Sequence, residues 1–251
     1  MEEINHKDAI KLLEVNLLKN IVLIKHAHQL KEGAKYYNNN SNIAISFKPD
    51  QMQHDRKLYN NAQLITIISD SNGIEVFLNN LPNGLNVLKI NGYLSNNRFQ
   101  LVNSFNSLTT NQITENKNNY IINKEENIFT DGYEYLFGLI NYTVNDIEEM
   151  IHNNSAYVLS IKDNQMPISS CLVYHVYKNV WEIAALSTHE NYRRKHIGEA
   201  LVTYATNKLL KEKLVPRYHV HTKNIASYNL AIKCGYEPFL SFNHYKYEKE
   251  T

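Results

Sequence analysis

A β-capable run, Trp181-Glu182-Ile183-Ala184-Ala185-Leu186-Ser187-Thr188, leads through the basic turn Tyr192-Arg193-Arg194-Lys195-His196 into a helix-patterned run. From Ile197 onward Leu201, Ala205 and Leu209 recur at every fourth position, as one face of a helix does. The chain must therefore hold a strand, a turn and a helix in that order, with the helix opening at the basic turn. The first amides of a helix have no partner inside it and its dipole is positive there, so an anion such as a diphosphate is favoured at that end. Arg193, Arg194 and Lys195 strengthen the attraction; taken alone, the same charges also fit a solvated surface.

Further on, Asn224-Ile225-Ala226-Ser227-Tyr228-Asn229-Leu230-Ala231-Ile232-Lys233-Cys234-Gly235-Tyr236 reads as a helix stopped by a glycine cap and followed by a strand. This order of strand, basic turn, helix, strand, Asn-started helix and Gly-aromatic strand resembles the GNAT N-acetyltransferase superfamily. In that family a loop of the form (Gln/Arg)-x-x-Gly-x-(Gly/Ala) holds the pyrophosphate of acetyl-coenzyme A. Here it reads Arg193-x-x-His196-x-Gly198, with histidine in place of the first glycine. Glycine lets the backbone approach phosphate without a side chain in the way. A histidine there weakens cofactor binding, points outward, or donates to a phosphate. The resemblance is closest to a bacterial subgroup, through Glu182-Ile183, Thr188-His189, Tyr192-Arg193, Lys195, Asn224, Ser227, Leu230-Ala231, Lys233 and Gly235-Tyr236, and it covers roughly Phe129 to Tyr247.

The resemblance implies an α+β GNAT fold in the C-terminal half, a mixed and mostly antiparallel splayed sheet flanked by helices, preceded by a smaller α+β domain. It implies acetyl-coenzyme A as co-substrate, its pyrophosphate on Arg193, Arg194, Lys195, His196, Ile197, Gly198 and Glu199. The pantetheine arm would run along Leu186, Ser187 and Thr188, where a backbone amide polarises the thioester carbonyl, with Asn224 and Ser227 facing it. Glu182 falls where several such enzymes keep a general base, and apolar neighbours would make it a better proton acceptor; a structural carboxylate at the cleft edge is the equal alternative. Many of these enzymes carry a thiol-protonating tyrosine where this chain has Ala231. Tyr228, one turn earlier, either replaces it or packs. The reaction class implied is acetyl transfer to the primary amine of a small molecule, and the alternative is a non-catalytic coenzyme A-binding, sensor or assembly protein.

The chain has 251 residues, 43% of them hydrophobic, and a formal net charge of +1 from 26 basic and 25 acidic residues. That balance gives no global field for nucleic acid, and no apolar run is long enough to cross a bilayer. The start, Met1-Glu2-Glu3-Ile4-Asn5, lacks the order of a secretion signal, so a cytoplasmic location is expected. Cys171 and Cys234 make neither a metal spacing nor a disulfide framework and read as buried thiols. The His219/His221 and His26/His28 pairs lack a third ligand nearby in sequence, so no metal is expected.

In the N-terminal part, His6 to Gln29 reads as one well-buried helix and Tyr36 to Asn42 as a loop. Strands are predicted at Ile43 to Phe47, Leu64 to Ile68, Ile74 to Leu78, Val87 to Ile90 and Phe99 to Val102. Beyond a polar stretch, Tyr133 to Ile151 has helical spacing, and Ala156 to Ile161, Ile168 to Tyr177, Val180 to Thr188 and Tyr218 to Thr222 read as strands. The expected division is an N-terminal domain over 1–110, a linker over 111–128 and the acetyltransferase-like domain over 129–251. The first would shape the acceptor side or a subunit interface, a homodimer being the candidate assembly. No sequence repeat of regular period is visible, and a diverged duplication of the two halves stays open.

Overall fold

The computed structural model describes residues 1–30, 33–40, 42–125, 128–140 and 142–250. They form two compact units, Met1–Asn106 with Phe239–Thr251, and Ser107–Pro238.

The first unit opens with β1 (Glu2–Ile4), α1 (His6–Glu14) and α2 (Ile21–Gln29), so the single helix expected from His6 to Gln29 is two. The break falls at a polar link, where Asn20 donates from Nδ2 to the Leu13 carbonyl at 3.0 Å and so competes with the helical backbone. Next come β2 (Lys35–Asn39), β3 (Asn42–Phe47), α3 (Gln53–Tyr59), β4 (Leu64–Ile68), α4 (Ile74–Leu78) and β5 (Gly84–Asn91). Strand β2 replaces the expected loop because β3 pairs with it and Tyr36 turns inward, 4% exposed. The stretch Ile74–Leu78 is a helix where a strand was expected. Ile74, Phe77 and Leu78 are buried and Glu75 is exposed, a helical spacing in a run too short for periodicity to settle. The pairing supplies the reason: β4 and β5 are parallel and need a crossover between them.

The second unit takes the end of β6 (Phe99–Thr109), then β7 (Asn123–Glu125), α5 (Asp131–Gly138), α6 (Val144–His152), β8 (Ala156–Asp163), β9 (Met166–Tyr177) and β10 (Val180–Thr188). It continues with α7 (Ile197–Lys211), β11 (Val215–His221) and α8 (Ile225–Lys233). Alternate residues of the strands face opposite ways. Leu159, Cys171, Val173 and Ile183 pack with Leu201, Ala205 and Leu209 of α7, whereas Val158, Leu172 and Tyr174 pack with Tyr133 and Phe137 of α5 and Ile147 of α6.

The last strand, β12 (Glu237–Lys249), pairs antiparallel with β5 from Phe242↔Asn91 to Lys249↔Gly84. The chain thus returns to its first unit, whereas the sequence division kept everything to residue 251 with the second half. Within the stretch expected as linker, β7 pairs with β8.

One pairing pattern occurs twice. In the first unit β1–β2, β2–β3 and β3–β4 are antiparallel and β4–β5 parallel; in the second β7–β8, β8–β9 and β9–β10 are antiparallel and β10–β11 parallel. Both units place two helices between their first and second strands and one helix before the parallel strand.

Candidate active site

The site grows from an irregularity in β10. Its partners in β9 step from Ala184↔Leu172 to Ser187↔Ser170, so β10 carries one extra residue, and Ala185 stands at φ 49. That is a β-bulge, a device that re-aims a strand's backbone. On the other side, parallel pairing with β11 runs from Val180↔Val215 to Ile183↔Tyr218 and stops, although β10 continues to Thr188 and β11 to His221. A gap opens between the two strands at their carboxyl ends. Ser169 Oγ donates to the Ser187 carbonyl at 2.8 Å and meets Thr188 Oγ1 at 2.8 Å, fixing the rim.

The basic turn lies over that gap. Arg193 Nε donates to the Thr188 carbonyl at 3.1 Å, and the Tyr120 hydroxyl donates to the Lys195 carbonyl at 2.7 Å. Arg194 and His196 are left-handed, with φ 61 and 60, and the first intrahelical bond of α7 runs from Ala200 N–H to the His196 carbonyl. The amides of Ile197, Gly198 and Glu199 therefore point out of the helix end without a carbonyl of the helix to reach. A Cβ on Gly198 would come within 3.3 Å of Leu186 and 3.5 Å of Leu230, so this glycine lets α7 sit close to the bulged strand.

A cleft of about 650 Å³ results. It gathers Leu186, Ser187 and Thr188 from β10, Arg193, Arg194 and His196 from the turn, Ile197, Gly198 and Glu199 from α7, and Asn224 and Ser227 at α8. Lys195 is not on the lining; its ammonium lies 4.9 Å from the Tyr192 ring centroid. Asn224 caps α8, accepting from Ser227 N–H at 3.1 Å, and Ser227 Oγ is 2.8 Å from the Tyr218 hydroxyl.

The His196 imidazole turns to its own helix, Nδ1 lying 2.7 Å from Glu199 Oε2 and 3.1 Å from Lys233 Nζ. Lys233 bonds Glu199 at 2.6 Å. Burial raises the Glu199 carboxyl, but the Lys233 and His196 contacts outweigh it and hold that carboxyl below its usual range. An acidic residue at an anion-seeking helix end is thereby neutralised. Lys233 on the lining was not among the cofactor residues expected; its membership of the motif that carries the family resemblance, and its place one helical turn after Leu230, could have signalled it.

Glu182 is 6% exposed and lies off the cleft lining. Arg217 of β11 donates to Oε2, and the Tyr174 hydroxyl donates to Oε1 at 2.7 Å. Burial first, then the Glu182 carboxylate, pushes the Tyr174 phenol well up, so Tyr174 keeps its proton. Arg217 also donates to Ser107 Oγ and to His219 Nδ1, each at 2.9 Å. Since arginine only donates, neutral His219 carries its proton on Nε2. Sequence spacing gave no sign of this network, because its members come from four strands.

Tyr228 is half-buried and packs against the α7 core beside Leu230, off the cleft lining. Burial pushes the Cys171 and Cys234 thiols up to about 12 and about 11, which leaves neither as a nucleophile. Among the described residues no group of three or more His, Cys, Asp or Glu could hold a metal ion, and no helix is long and apolar enough to cross a membrane.

Residues 122–236 match the model of the acetyltransferase (GNAT) family, and the C-terminal half of this chain is a GNAT domain, an acyltransferase by family. Solved structures agree on the fold. A GCN5-related N-acetyltransferase from Sphaerobacter thermophilus is 10% identical, with 91% of this chain and 85% of that one covered and a TM-score of 0.57. A tandem GNAT protein from the clavulanic acid biosynthesis pathway is 8% identical, covering 99% and 98%, with a TM-score of 0.56. A GCN5-related N-acetyltransferase from Kribbella flavida is 10% identical, covering 97% and 96%, with a TM-score of 0.52. No curated protein matches the chain.

Proposed function

We propose that the protein transfers an acetyl group from acetyl-coenzyme A to the primary amine of a small molecule. The observation that carries this reading is the gap between β10 and β11, opened by the Ala185 bulge and closed at one end by the outward amides of α7. The diphosphate would rest on the amides of residues 194–199, with Arg194 adding screened attraction and Arg193 holding the turn to Thr188. The pantetheine arm would lie along Leu186, Ser187 and Thr188, and an amide there would polarise the thioester carbonyl. The amine lone pair attacks that carbonyl, the thiolate leaves, and the nitrogen's proton goes to a base.

Glu182 is the proposed base, acting from its network with Tyr174 and Arg217. Coenzyme A thiolate departs without Tyr228 as its acid. The engagement of both Glu182 oxygens favours a second reading, a coenzyme A-binding domain that does no chemistry. An amine-panel assay of released thiol, beside calorimetric coenzyme A binding, separates the two. Binding with thiol release on an amine supports the first; binding with none across the panel supports the second.

A further inference from the structure

The repeated pairing pattern places a second cleft in the first unit where the second unit has its own. In the second unit the cleft lies between the α5–α6 link, the end of β10 and the turn into α7. In the first, a cleft of about 520 Å³ lies between the α1–α2 link, the end of β4 and the turn into α4, with the β2–β3 hairpin as a further wall. The chemistry of the two is opposite. Where the second unit sets Arg193, Arg194 and Lys195, the first has Asp70-Ser71-Asn72-Gly73.

The Asp70 carboxyl, raised by burial but lowered more by Lys19 and the Asn72 amide, is ionised, and Lys19, the one cation on the lining among the described residues, is already bonded to it at 2.5 Å. A diphosphate would meet a carboxylate with its counter-ion already placed. The remaining polar lining is amide, apart from the Ser69 hydroxyl, which donates to Asn42 Oδ1 at 2.6 Å. Asn42 Nδ2 spans the Asp70 and Asn72 carbonyls at 3.0 and 2.6 Å and holds the turn. Asn20 is 8% exposed, and its Oδ1 has no hydrogen-bond partner among the described residues. Asn16, Asn39 and Asn40 bring three more side-chain amides to the lining. Leu12 and Val15 add an exposed apolar edge.

We propose that this cleft is a ligand site of its own, for an uncharged polyhydroxylated molecule of monosaccharide size and not for an acyl-coenzyme A. A side-chain amide offers donor and acceptor together, which suits hydroxyls that do both, and the Lys19–Asp70 pair leaves no net charge to select an ion. The apolar edge suits the C–H face of a sugar ring.

The test uses the full chain and saturation-transfer NMR with glucose, galactose, mannose and N-acetylglucosamine, each at millimolar concentration, with glucose 6-phosphate as the anionic control. The expected result is transfer to at least one neutral sugar, none to the phosphate, and a signal about tenfold weaker in Asn16→Ala/Asn39→Ala, two changes that leave the core untouched. Calorimetry should give one coenzyme A per chain in wild type and variant alike. No transfer to any neutral sugar, or a signal that persists in the variant, overturns the proposal. So does a second equivalent of coenzyme A that the variant loses. Failure of the cleft in the second unit would show separately, as no coenzyme A bound at all.

Discussion

His196 holds a left-handed backbone that costs a non-glycine residue about 1–2 kcal/mol, and its ring is turned toward Glu199 and Lys233. Where the family has glycine, this chain thus keeps a backbone conformation that glycine favours, with the imidazole bonded to its own helix. His196→Gly should therefore keep coenzyme A affinity within about threefold, because it loses only an exposed contact. Calorimetry checks this; a loss beyond about tenfold, or 1.4 kcal/mol, would mean that the imidazole itself meets the cofactor. Glu182 needs a paired design, since Arg217 is its buried partner. Glu182→Gln should lower turnover by about one hundred to ten thousand fold, but it also leaves a buried guanidinium uncompensated, at a cost of about 3–5 kcal/mol. Glu182→Leu/Arg217→Met removes both charges and should restore the thermal midpoint without restoring turnover. Recovery of turnover in that double variant would make Glu182 a structural carboxylate.

At the scale of elements, α5 sits on the β8–β9 hairpin through a missing side chain. A Cβ on Gly132 would stand 2.6 Å from Pro167 Cγ and 2.7 Å from its Cδ. Gly132→Ala should destabilise by about 1–3 kcal/mol despite alanine's better helix propensity, read as a drop of about 2–4 °C in thermal midpoint per kcal/mol in a domain of this size. An unchanged midpoint would mean that α5 lifts freely off the hairpin. The elements around the cleft were legible because each carries its own signal. Val180–Thr188 is a β-capable run between a two-residue turn and the basic turn, α7 has a four-residue repeat, and Asn224 and Gly235 punctuate α8. In the first unit, α4 and β2 were misread because each is five residues long and takes its state from pairing partners. The Ala185 bulge and the Glu182–Arg217 pair were illegible for a similar reason: both depend on register against β9 and β11, which no local spacing encodes.

For the whole molecule, stability should vary with acidity through His26 of the first unit. Burial first, then the Lys89 ammonium, lowers His26 from 6.5 to about 3. The folded state keeps it neutral where the unfolded chain takes a proton, so its contribution is complete above about pH 6.5 and is lost as pH falls toward 3. His26→Gln should flatten the fall of the thermal midpoint across that window, and an identical slope would assign the acid sensitivity to other groups. Phe239–Thr251 belongs to the first unit, where β12 pairs along all of β5 and buries Phe242, Asn243, His244 and Tyr245. The His244 ring is held there by the Tyr59 hydroxyl at 2.8 Å. Removing residues 239–251 takes away these contacts but none of the residues that line the cleft between β10 and β11. Amide hydrogen exchange of the shortened chain should therefore quicken along β5 and β4, by about two orders of magnitude or more where protection was global. The same amides in β9 and β10 should stay protected and coenzyme A affinity should hold. Loss of protection in both sets together would show that the two units unfold as one cooperative body.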